Sequence, residues 1–273
     1  MKTTVVQLIS NIVRSKPGSV TIVAFLLLLP LALIESKIRQ RANFHIEAVN
    51  EISNSWTHAQ TVLGPALIVE YETSEVKSTW SEKEGRHMTN TIYLDKTAML
   101  PMETLSLTST IGTQEGYQGI HEVQVYTSQI ELSGNYEPTG FEGALAEEKF
   151  NRVLNIYLWI SVSDQRGGVD IPSLHWGDEQ YRFTPGGHKL LDQRGIKVDL
   201  QYADVEQATT FATQFGLRCS HVLNFVPTGK TTSLNMTSPW PHPKFASMYL
   251  HNSRTVDDGF VANWEIMELA TNI

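Results

Sequence analysis

Val153-Leu154-Asn155-Ile156-Tyr157-Leu158-Trp159-Ile160-Ser161-Val162 decides the class of this fold. β-branched and aromatic side chains fill the stretch, and these types pack well on a pleated surface. A short, nearly continuous apolar run of this kind reads as a well-buried strand. Similar segments lie on both sides of it. Ala66-Leu67-Ile68-Val69-Glu70-Tyr71 is an apolar strand opened by Gly64-Pro65. His87 to Leu94 is another candidate. Thr104 to Ile111 alternates around Leu105 and Leu107, and Glu122 to Leu132 places Val123, Val125, Thr127, Gln129 and Glu131 on one parity. Downstream come Ile196 to Tyr202, Phe215 to Val226 and Thr231 to Thr237. Thr184-Pro185-Gly186-Gly187 and Pro227-Thr228-Gly229-Lys230 punctuate them as turns.

Many strands with polar turns predict a mainly β region, an antiparallel sandwich or a relative of one. Two stretches read as helical, Gly143 to Phe150 and Val205 to Phe211. No fixed-period repeat or low-complexity linker breaks the region, so 59–273 is taken as one β-rich domain.

The chain in front of that domain is different. Gly18 to Ile34 carries no charge, and its center reads Phe25-Leu26-Leu27-Leu28-Leu29-Pro30-Leu31-Ala32-Leu33-Ile34. About 17 residues at roughly 1.5 Å each give about 26 Å, somewhat less than the roughly 30 Å of a bilayer core. Lys16 and Lys37 flank the run and reach toward the headgroups. A cleaved signal peptide is the competing reading, because Lys2, Arg14 and Lys16 form a basic leader. Ile34-Glu35-Ser36 is a poor cleavage site, which favors an uncleaved anchor in the lipid bilayer. The expected layout is 1–17 as an N-terminal segment, 18–34 as a transmembrane helix and 35–58 as a membrane-proximal helix. Orientation is not given by charge, since Lys2, Arg14 and Lys16 on one side match Lys37, Arg39 and Arg41 on the other.

In 35–58, Ile38, Ala42, His45, Val49, Ile52 and Trp56 recur at three- and four-residue steps, which places them on one helical face. About three heptads are too few to predict a coiled-coil dimer, so the oligomeric state stays open.

The net charge is −8, and no basic stripe is present, which argues against nucleic acid as a partner. Cys219 is the single cysteine, so no intrachain disulfide forms. It reads as a small strand residue, since no spacing supplies an activating base. Gly-x-Ser-x-Gly, His-Glu-x-x-His, P-loop and dinucleotide fingerprints do not occur in the sequence. No catalytic residue, metal or cofactor is expected. The adjacent acids Asp257-Asp258 read as a solvated turn. Asp164-Gln165-Arg166-Gly167-Gly168 reads as a turn in which Asp164 bonds backbone N–H groups, with Arg166 as a minor ligand candidate.

One motif near the end carries more information. Thr237-Ser238-Pro239-Trp240-Pro241-His242-Pro243-Lys244-Phe245 precedes Asp258-Gly259-Phe260-Val261-Ala262-Asn263-Trp264. Each proline fixes its own φ and restricts the residue before it, so the first segment is stiff and extended. The plainer reading is a rigid crossover with Trp240 and Phe245 buried as anchors. The sharper one is a binding edge built on Trp240 and His242.

These two segments resemble the CreD family of bacterial inner-membrane proteins, associated with cell-envelope integrity and colicin tolerance. Gly64 to Val69, Val125-Tyr126-Thr127 and Ile160 to Gly167 sit in the expected order, and the anchor matches too. The motif positions carried by the resemblance are Trp240, His242, Phe245, Gly259, Phe260 and Trp264. The resemblance implies a cytoplasmic N-terminus and a large β-rich periplasmic domain. It supplies no catalytic residues. Family members continue into several further membrane helices, whereas this sequence stops at Ile273, so a fragment or a single-span version is expected.

The expected function is a non-enzymatic envelope protein that binds envelope components or membrane proteins. One alternative is a ligand-binding sensor domain signaling through Glu35 to Trp56. The other is a hydrolase of envelope polymers using His121, Asp164 or His242.

Overall fold

A computed structural model describes residues 16–82, 84–118, 121–147, 149–188, 193–246 and 248–271. Nearly all of the predicted segment 1–17 lies outside them. The chain divides into two compact units, 1–52 with 117–123, and 53–116 with 124–273.

The first unit holds most of helix α1 (Lys16–Ser55), which includes Pro30. Forty residues make a rod of about 60 Å. Leu27, Leu28, Leu29, Leu31, Leu33 and Ile34 are exposed along it. The side chains at 21–26, the center of the predicted anchor, lie outside the described residues. Among the described residues, no helix is long and apolar enough to cross a membrane. The stripe expected on 35–58 is not uniformly covered: Ile38, Ala42 and His45 are exposed, while Val49 and Ile52 are half-buried.

The second unit is two β sheets. Its strands are β1 (Gln60–Ser81), β2 (Arg86–Leu100), β3 (Met102–Gln118), β4 (His121–Tyr136), β5 (Phe150–Val162), β6 (Ser173–Trp176), β7 (Glu179–Arg182), β8 (Thr184–His188), β9 (Gln193–Asp199), β10 (Thr209–Ser220), β11 (Leu223–Val226), β12 (Gly229–Ser238), β13 (Ser253–Asp257) and β14 (Gly259–Ile266). The tips of β3 and β4, at 117–123, group with the first unit. One sheet runs β11-β1-β5-β9-β8, with β2 also paired to β1. The other runs β13-β14-β12-β3-β4-β10-β6-β7. Short helices α2 (Thr139–Leu145) and α3 (Tyr202–Val205) sit in the connections, and α4 (Glu268–Thr271) follows β14.

The main core lies between the sheets. Leu67, Val69, Leu158 and Ile160 from one meet Leu105, Leu107, Ile130, Leu132, Phe211 and Phe215 from the other. Period-2 alternation puts these residues on the inner faces. Strand β5 is buried without a break from Ile156 to Val162, as its composition predicts. Its outward residues Tyr157 and Trp159 form a smaller cluster with Ala66 and Ile68.

Several expectations need correction. The sheets are not purely antiparallel, since β1 pairs β11 and β12 pairs β3 in parallel. Gly64-Pro65 does not open β1 but lies within it. Residues 60–63 pair with β11, and 67–81 pair with β2. Gly64 has φ +111°, and a Cβ there would come within 2.8 Å of the Trp159 carbonyl oxygen, so only glycine fits. Phe215 to Val226 is two strands, broken at His221 with φ 66°. The predicted helices are shorter and earlier. Thr209 to Phe211 instead pairs with Tyr136 to Gly134, and Phe211 also with Trp176, so strand partners override local helix preference. Tyr202 opens α3 and does not end β9. In β4 the inward parity is Ser128, Ile130 and Leu132, and Gln129 and Glu131 point out.

Beyond Ser74 and Tyr93, β1 and β2 pair only with each other among the described residues. Val76, Trp80 and Tyr93 are exposed on this ribbon.

Candidate functional site

The proline-rich motif is the connection from β12 to β13. β12 pairs antiparallel with β14 from Thr232↔Ile266 to Ser238↔Phe260, and β13 pairs with the other edge of β14. Along β14, Phe260, Ala262, Trp264 and Ile266 alternate inward and join Ile111 in a second core. Phe245 folds back onto that face. Its ring centroid lies 5.2 Å from Phe260 and 5.5 Å from Trp264, both edge-on. His251 approaches Trp264 at 6.3 Å, and the Arg254 guanidinium sits 5.1 Å from the Phe245 centroid.

Gly259 makes this closure possible. Its φ is +143°, and a Cβ there would fall 2.4 Å from the Ser238 carbonyl oxygen. Asp258 lies between β13 and β14, in the turn its adjacent acids predict.

Trp240 and His242 behave differently. The Trp240 indole Nε1 donates to the His242 carbonyl at 2.9 Å, and the rings meet edge-on at 6.0 Å. Trp240 is half-buried and His242 exposed. The structure therefore gathers Phe245, Gly259, Phe260 and Trp264 into one packed unit and leaves Trp240 with His242 on the surface of the crossover.

Asp164 and Arg166 belong to a second cluster, at the end of β5. Asp164 accepts the Arg166 backbone N–H at 3.1 Å and pairs with its guanidinium at 2.6 Å. The Arg166 hydrogen bond, opposed by partial burial, holds the Asp164 carboxyl below its ordinary range. Sequence reasoning missed Gln60, which is fully buried beside this turn. A lone glutamine before a Gly-Pro gives no signal of that role.

A serine–histidine contact lies nearby. Ser53 Oγ is 3.3 Å from His221 Nε2 and 3.0 Å from Ser220 Oγ, and Ser220 Oγ donates to the Thr57 carbonyl at 2.5 Å. Both serines are fully buried. With their hydroxyls committed to neighbors, the group pins Ser53–Thr57 to the end of β10.

Cys219 faces Tyr126 across β10 and β4. Burial pushes its thiol up to about 12, an effect that the Tyr126 hydrogen bond lessens. It is a neutral thiol at physiological pH. Among the described residues, no group of three or more His, Cys, Asp or Glu side chains is placed to hold a metal ion.

A long N-terminal helix and a two-sheet β region define a mainly β protein whose best-marked motif builds a rigid crossover. A sequence profile of the family described as inner membrane protein CreD matches residues 13–273. The chain belongs to that family of inner membrane proteins. It is 26% identical over 255 residues to inner membrane protein CreD of Escherichia coli (strain K12), covering 91% of this chain and 54% of that protein. The chain thus spans about half the length of the curated relative it matches.

Proposed function

We propose that this is a membrane-anchored envelope protein whose β region lies in the periplasm and acts by binding envelope components or membrane proteins, without catalysis. The apolar run at 18–34 is the anchor in this reading. The family match over 13–273 carries it, because it joins the helix and the β region in one inner-membrane family. The motif geometry supports binding over chemistry. Phe245, Phe260 and Trp264 spend their rings on one another, and Asp164 and Arg166 spend their charges on each other. The stiff prolines hold Trp240 and His242 on the surface of the crossover, where a partner can meet them.

The test is protease added to spheroplasts. The exposed β1–β2 ribbon offers a cleavage site near Gly85. Cleavage there in intact spheroplasts is the expected result, with cytosolic controls protected. Cleavage only after lysis would overturn the periplasmic placement.

A further inference from the structure

The crossover between β12 and β13 turns two large apolar side chains to solvent. Met248 is 92% and Leu250 90% exposed, although Tyr249 between them is half-buried against the second core. Phe245 and Tyr249 hold the segment down, and Met248 and Leu250 point away from it. Nothing in the packing of the crossover accounts for them, and exposed apolar groups gathered on one segment mark a surface meant for a partner.

Charge indicates which partner. The chain as a whole is acidic, at −8, yet Thr237 to Val256 contains no Asp or Glu, and the exposed pair Asp257 and Asp258 follows only at the far end of β13. It contains Lys244 and Arg254, together with His242 and His251, and Lys244 and Arg254 are exposed. Trp240 and Tyr249 lie in the same stretch, and these residue types favor the boundary between lipid and water. Apolar tips flanked by cations, in an acid-free stretch of an acidic protein, complement an anionic bilayer surface.

We propose that the crossover between β12 and β13 docks on a membrane through Met248 and Leu250. Met248 and Leu250 enter the acyl boundary of a bilayer containing anionic lipid, and Lys244 and Arg254 meet the headgroup phosphates. The idea rests on the membrane placement proposed above and adds a second contact, separate from the anchor.

The experiment uses the full chain in vesicles of phosphatidylethanolamine and phosphatidylglycerol. Single cysteines are placed by Met248→Cys, Leu250→Cys, Leu28→Cys and Glu131→Cys and carry an environment-sensitive fluorophore; Cys219 is too buried to label. Spin-labeled lipids serve as the quencher. The expected result is quenching at 248 and 250 at least twofold above that at 131. Lys244→Glu with Arg254→Glu should halve it. Quenching at 248 and 250 no greater than at 131 overturns the proposal, and so does indifference to phosphatidylglycerol. Disulfide formation between two copies at 248 without lipid quenching overturns it in favor of self-association. Leu28 reports separately on the anchor: quenching there with none at 248 or 250 defeats the loop alone, and the reverse pattern defeats the anchor alone.

Discussion

The side-chain amide of Gln60 pairs with both backbone groups of Asp164. Nε2 donates to the Asp164 carbonyl at 2.9 Å, and Oε1 accepts its N–H at 3.0 Å. Gln60 also accepts from Ser163 Oγ at 2.9 Å and donates to the Arg218 carbonyl at 3.4 Å. One buried side chain thereby satisfies backbone from two strand ends.

Gln60→Leu should therefore destabilize the fold by about 3 kcal/mol, since buried peptide groups lose their partners. Gly167→Ala attacks the same contact from the other side. Its Cβ would lie 2.5 Å from Gln60 Nε2 and 2.7 Å from the Arg218 carbonyl oxygen. A loss of about 2 kcal/mol is expected. The double variant should lose less than the sum, because both changes disrupt one arrangement. Denaturant unfolding of the full chain in detergent measures all three.

Phe245 and Trp240 should separate cleanly. Phe245→Ala removes the ring that contacts Phe260 and Trp264, and should cost about 2 kcal/mol. It should also open the 239–252 crossover to proteases. Trp240→Ala removes a half-buried ring bonded within its own segment, and should cost under about 1 kcal/mol. Equal protease sensitivity in the two variants would contradict the assigned roles.

Cys219 sets a pH dependence at the alkaline end. In the unfolded chain its thiol ionizes near the ordinary value of 9.0, and in the folded chain at about 12. The folded state then holds the proton more tightly. Its contribution is fully present below about 9 and is lost as pH rises toward about 12. Cys219→Ala should flatten the start of this decline, before unfolded tyrosines ionize. Denaturation midpoints at about pH 7, 8 and 9 give the slope.

Asp164 acts at the acid end with the opposite sign. Its carboxyl is held below the ordinary 3.8, chiefly by the Arg166 side-chain hydrogen bond. Its stabilization is present above that value and fades as pH falls through the folded one. Arg166→Gln should move the acid unfolding midpoint upward. At pH 7 the cost should be small, because the guanidinium is exposed and water screens the pair.

Much of the β character was legible in local composition. Val153 to Val162 announces a strand buried on both faces, and the structure buries Ile156 to Val162 continuously. The parallel pairings were not legible, because β3 and β12 meet through residues far apart in sequence. Nor was the break at His221, since β10 and β11 are compositionally alike and only the backbone turn divides them. The motif was readable as stiff and aromatic. Which of its rings pack and which stay outside depended on where β14 lies, and no spacing revealed that. Met248 and Leu250 gave no signal either, because they lie in an irregular crossover where no periodicity says which side chains face out.

The parallel pairing of β12 with β3 also has a consequence in time. Lys230 and Glu103, which bond across it at 2.7 Å, are separated by 127 positions. During synthesis β3 exists, with one side uncovered, long before its neighbor has been made. An open strand edge invites pairing with foreign chains. The aggregation hazard of this protein therefore falls in a defined interval of its biogenesis, which closes only when the polypeptide has grown past Ser238 and β12 docks.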